Sequence, residues 1–209
     1  MSKAVSGFAI SEAIHGSWNL FKEKWHLVYG LYLIPVLVAV VYSLIVKALG
    51  EDFGLMALFV GFLYMVAQMV VSMGVVQGYI NLTRGKEITV ETFTDMFPQV
   101  INYVIGTIMM MLIVLGGTLL FILPGIYFSL KYYFVPFLII DKKMGPKEAL
   151  AASAKMTDGV KWELVGLFGA TIALAYLGLF GLIVGVFVTA PVAGLSYVMF
   201  YNRLVKRLE

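Results

Sequence analysis

Between Asp95 and Asp141 the chain carries a single charged side chain, Lys131. A stretch this long and this poor in charge would strand apolar surface in water, so it must lie in lipid or inside a large core. A core of that size is not available to 209 residues of which 61% are hydrophobic and only 13% charged. Soluble domains are closer to half apolar and a quarter charged. The solvent for most of this chain is therefore a bilayer.

A spanning helix needs about 20 apolar residues to cross roughly 30 Å of hydrocarbon. The apolar runs predict spans at 26–46, 54–82, 98–123, 126–140, 162–178 and 182–202. Pro124-Gly125 is expected to turn the chain between the third and fourth, and Gly178–Gly181 between the last two. The fold class predicted is an all-α integral membrane protein with six transmembrane helices in one polytopic domain, residues 1–209.

Six spans place both termini and the second and fourth loops on one side. That side gathers Lys3, Lys22, Lys24, Arg84, Lys86, Lys142, Lys143, Lys147, Lys155, Lys161, Arg203, Lys206 and Arg207, while the other holds Lys47 beside Glu51 and Asp52. The excess of basic residues predicts an N-in, C-in protein of a prokaryotic cytoplasmic (inner) membrane. The amino-terminal residues lack the compact apolar core and small-residue cleavage site of a secretory signal peptide.

Residues 12–31 (EAIHGSWNLFKEKWHLVYGL) resemble 148–167 (EALAASAKMTDGVKWELVGL) after one inserted residue, and 89–106 is a fainter version. This predicts three units, each an amphipathic cytoplasmic helix followed by a helical hairpin. In the first unit Ile10, Ile14, Trp18, Phe21 and Trp25 recur at helical spacing, so they are expected to share one face. Tryptophans beside lysines suit a helix lying among lipid headgroups.

A charge inside a span needs a reason, since it costs about 3 kcal/mol on insertion scales. Counted from Ile126, Lys131 is expected about 8 Å from the outer boundary. Two readings stay open: its stem snorkels to the outer headgroups, or its ammonium holds an anion inside the bundle. The spans are read as free of aspartate and glutamate, so a buried Lys131 would look to Gln68, Gln77, Tyr132, Tyr133, freed carbonyls or a ligand. Pro35, Pro124, Gly125, Pro136 and Pro191 are the expected helix breaks. Two GxxxG spacings, Gly74–Gly78 and Gly181–Gly185, are expected to pack helices within the monomer.

With no cysteine and two histidines, neither thiolate chemistry nor a cysteine or histidine metal centre can form. No phosphate-cradling loop, nucleophile elbow or metalloprotease motif occurs. Glu87, Glu91 and Asp95 form an acidic group expected to be solvated surface. No cofactor, metal or nucleic-acid partner is expected, and no enzymatic activity. The function expected is binding or transport of a lipid or small amphiphilic anion, with membrane lipids as partners. The alternative is an assembly or regulatory subunit that meets a membrane-protein partner through its amphipathic helices. Monomer and homo-oligomer are both open.

The carboxy-terminal half carries a recognisable pattern: Pro124, Gly125, Ile126, Lys131, Asp141, Glu148, Ala149, Leu150, Ser153, Trp162, Leu164, Gly185, Pro191, Tyr201 and Leu204. It resembles a broad group of uncharacterised prokaryotic membrane proteins, related to the membrane domain attached to some glycerophosphodiester phosphodiesterases. The resemblance covers about residues 120–205 and implies a six-span inner-membrane protein. The enzyme-linked members carry a separate catalytic domain that is not expected here, so the resemblance does not imply phosphodiesterase activity.

Overall fold

The computed structural model describes residues 6–49, 54–180 and 182–208. Lys3, Glu51, Asp52 and Gly181 lie outside them. The chain is 88% helical and shows no strands among the described residues. Among the described residues, five stretches are long and apolar enough to cross a membrane: Ile10–Ala48, Met56–Thr83, Glu91–Leu120, Ile122–Lys142 and Lys161–Leu179. It is an all-helical membrane protein.

Helix α1 (Ser6–Leu49) contains one non-helical residue, Lys24 (φ −123°, ψ 33°), which separates an amino-terminal segment from the long apolar one. Next come α2 (Gly54–Thr83), the short α3 (Glu91–Thr94) and a 3-10 turn at Phe97–Gln99. Then follow α4 (Val100–Leu120), α5 (Ile122–Tyr132), α6 (Val135–Lys142) and α7 (Pro146–Met156). Helices α8 (Lys161–Phe180) and α9 (Leu182–Val205) complete the order. The sixth expected span, 182–202, falls in α9, which is helical over 24 residues but outside the five stretches above.

The two ends of the molecule differ. Phe21, Leu31, Ile80, Phe134, Leu138, Leu164 and Tyr201 are buried together where both halves of the chain meet, and this is the packed end. At the open end Leu37, Leu44, Phe59, Phe62, Leu112, Leu119 and Leu177 point outward. Large apolar side chains facing outward from long helices fit hydrocarbon as their solvent.

Two helix boundaries differ from the sequence reading. The α4–α5 turn lies at Phe121, whose extended backbone (φ −162°, ψ 154°) ends α4. Pro124 and Gly125 lie inside the first turn of α5. A proline is tolerated there because its missing N–H has no intrahelical acceptor. Gly125 is used for approach: a Cβ on it would sit 2.9 Å from the Thr118 Cα on α4. The expected fourth span, 126–140, is two helices. Pro136 is the second residue of α6, and its ring would strike the carbonyl of residue 132 in a continuous helix, so α5 stops at Tyr132. Pro35 and Pro191 sit within α1 and α9, which run on through them.

The apolar face expected of the first segment is only partly buried. Ala13, Ser17 and Phe21 form its buried stripe, whereas Trp18 and Trp25 are exposed. Gly16 decides this: a Cβ there would lie 2.9 Å from the Met199 sulfur, so α9 approaches along the Gly16–Ser17 side.

Of the GxxxG glycines, Gly74 receives the Phe93 ring of α3 and Gly78 receives Leu31 of α1. Both serve side chains within this chain. A methyl at Gly74 would stand 2.8 Å from the Phe93 Cγ. Gly74→Ala is therefore expected to lift α3, at a cost of about 1–3 kcal/mol of overpacking. Limited proteolysis should then cut within 86–99 at a protease concentration that spares the parent protein.

Candidate functional site

Lys131 sits in the last turn of α5. It lies nine residues beyond Ile122, where α5 starts, about 14 Å along the axis at ~1.5 Å per residue. Its carbonyl, freed by the α5–α6 break, accepts hydrogen bonds from the Ser153 and Thr157 hydroxyls of α7 and its carboxyl end, each at 3.0 Å. Those two hydroxyls pin the end of α5 to the α7–α8 connection. The placement near the outer boundary is thereby corrected: Lys131 belongs with residues 153–161, which the sequence assigns to the opposite side.

The ammonium meets aromatic rings, at 5.5 Å from the Tyr132 centroid and 6.0 Å from that of Tyr127. Lys161, opening α8, approaches the same Tyr127 ring at 4.9 Å and pairs with Asp158 at 3.1 Å. Two ammonium groups thus converge on one ring, where the quadrupole favours cations. Asp158 is held below the usual carboxylate range, first by the Lys161 hydrogen bond, then by the Lys161 charge, with Lys131 adding a smaller pull. Trp162, 86% exposed, stands beside this group and marks where apolar helix gives way to polar chain.

The other sequence candidates are dispersed. Tyr132 is with Lys131, but Tyr133 turns inward, edge-on to Phe134 and Phe168 at 5.0 and 4.9 Å. The Gln77 amide donates to Asn81 at 2.9 Å on α2, and neither Gln77 nor Gln68 bonds to Lys131. The Oε1 atoms of both glutamines are buried with no partner in the protein. The spans are also not free of acid, since Glu163 lies buried in the first turn of α8. A carboxylate is favoured there by the helix dipole.

Glu87, Glu91 and Asp95 are exposed, and with Gln77, Asn81, Thr92 and Asp141 they line a cavity of about 240 Å³ beside α2, α3 and α6. No group of three or more metal-type ligands occurs among the described residues.

One cluster escaped the sequence reading. Arg84, just past α2, forks onto Asp141 of α6, with Nη1–Oδ1 at 2.6 Å and Nη2–Oδ2 at 2.8 Å. The Tyr201 hydroxyl of α9 donates to the same carboxylate at 2.8 Å. The Arg84 Nε donates to Asn202 at 2.9 Å, and Asn202 donates to Thr83 at 2.7 Å. Asp141 is only 3% exposed. The signal available was an arginine and an aspartate each ending an apolar run, which the loop-charge reading had treated as unrelated.

Similar proteins add distribution without chemistry. The chain is 25% identical to the uncharacterised proteins Mb2590 of Mycobacterium bovis and Rv2560 of Mycobacterium tuberculosis. Each alignment covers 95% of this chain and 69% of the relative. No family model matches, and no solved structure matches. The residues that carry the carboxy-terminal resemblance have structural work here. Asp141 and Tyr201 belong to the Arg84 cluster, and Ser153 caps α5. Gly185 meets the Gly178 backbone, and Gly125 meets Thr118.

Proposed function

We propose that the protein is a non-enzymatic integral membrane protein that binds an anionic lipid or small amphiphilic anion at Lys131. The observation that carries this reading is the convergence of Lys131 and Lys161 on the Tyr127 ring, 6.0 and 4.9 Å from its centroid. The ring lies where apolar helix surface meets the polar α7–α8 connection. An ammonium at such a boundary is best matched by a ligand with an anionic head and an apolar body.

The same reading takes α9 as a sixth span, and the membrane as a prokaryotic inner membrane with both termini inside. On this view Lys131 faces the inner headgroup layer. The order of one short polar segment before each hairpin (the start of α1, α3, then α7) supports the three-unit layout.

Lys131→Met tests it. Protein purified in mild detergent and analysed by native mass spectrometry is expected to lose most of a co-purifying amphiphile while its melting temperature stays within a few degrees. Unchanged retention in a folded variant refutes the proposal.

A further inference from the structure

Building on that reading, we propose that the ligand is an anionic phospholipid. Its phosphate lies between Lys131 and Lys161, and its acyl chains follow two apolar tracks that begin at these lysines. Asp158 is the resident counter-ion that competes with the phosphate.

The tracks follow from helix spacing. On α5, Lys131, Tyr127 and Leu123 are four residues apart and share one face, and both apolar members are exposed. On α8, Lys161, Val165, Ile172 and Tyr176 share a face, and all three members after the lysine are exposed. Helices α5 and α8 touch, and each lysine stands at the end of its track nearest the α7–α8 connection. A headgroup placed between the ammonium groups has hydrocarbon-facing surface leading away from it on both helices.

Charge selects the headgroup. Lys161 pairs with Asp158, whereas no carboxylate among the described residues forms an ion pair with Lys131. Two ammonium groups against one carboxylate leave a net positive charge, which a monoanionic phosphodiester neutralises. A zwitterionic headgroup would bring a further cation toward the two lysines. Asp158 is 83% exposed, so its carboxylate can leave Lys161 for water at little cost.

The experiment uses the full chain in detergent, titrated with phosphatidylglycerol or phosphatidylcholine of identical acyl chains and read by native mass spectrometry. Phosphatidylglycerol is expected to bind more tightly. Lys131→Met and Lys161→Met should each weaken it about fivefold, the effect of one basic side chain at an anionic surface, and leave phosphatidylcholine unchanged. Lys131→Arg, which keeps the charge, should bind as the parent does. Asp158→Asn should bind phosphatidylglycerol about fivefold more tightly, because it removes a negative charge from beside the phosphate.

Equal binding of the two lipids, or no gain from Asp158→Asn, overturns the proposal. Displacement of the lipid by millimolar glycerol phosphate or inorganic phosphate would assign the site to a soluble anion and overturn it too. Loss of a different amphiphile in Lys131→Met would sink this ligand assignment and leave the broader reading standing.

Discussion

Arg84→Met is expected to destabilise the protein by about 3 kcal/mol, at the lower end of what breaking a buried ion pair costs. Asp141 is 3% exposed and takes both arms of the guanidinium plus the Tyr201 hydroxyl. Removing the arginine strands a carboxylate that water can reach only partly, through the space that the 28%-exposed Arg84 side chain leaves. The effect should be strongly non-additive. Arg84→Met combined with Asp141→Leu takes out both charges and should lose less than Arg84→Met alone, since replacing a whole buried pair by apolar groups is often near neutral. Reversible unfolding in mixed micelles measures both. A double variant as unstable as the sum of the singles would mean that the pair contributes nothing as a pair.

Gly185→Ala should be comparably damaging for a different reason. At this point α8 and α9 meet backbone to backbone. A Cβ on Gly185 would lie 2.8 Å from the Gly178 carbonyl carbon and 2.9 Å from its Cα. Backbone cannot swing aside as a side chain does, so the helices must separate, with an expected loss of about 3 kcal/mol. Gly169→Ala, on the same hairpin with nothing within 4 Å of its Cβ, is the control. It should be neutral or stabilising by up to about 1 kcal/mol through helix propensity. Equal behaviour of the two alanines in the same unfolding assay would remove the close-approach account.

Apolar run length was enough to locate five helices of membrane length, because hydrocarbon thickness sets a length and lipid forces backbone bonds to be made within each segment. It did not find the break after Tyr132. Composition there is uniformly apolar, and the break comes from the Pro136 ring acting four residues back. Lys131 is expected too near the turn for a second reason: the span is counted from Ile126, whereas α5 begins at Ile122. As two helices, with Ser153 and Thr157 bonded to its carbonyl, it meets Asp158 and Lys161. The apolar spacing of the first segment does not say which of its members meet α9, since Trp18 and Trp25 share the period with Phe21 yet stay exposed. Exposed tryptophan is ordinary at a membrane boundary, and Gly16 was the better pointer to the contact.

The Arg84 cluster also sets an order of events during synthesis. Its members come from residues 83–84, 141 and 201–202, and Glu12 waits for Arg203, 191 positions later. Until α9 is made, the first hairpin has entered the bilayer without a main packing partner, and Asp141 lacks one of its three donors. The nascent protein therefore stays loosely assembled until its last helix arrives. That interval is when membrane proteases and insertion chaperones have most access to it.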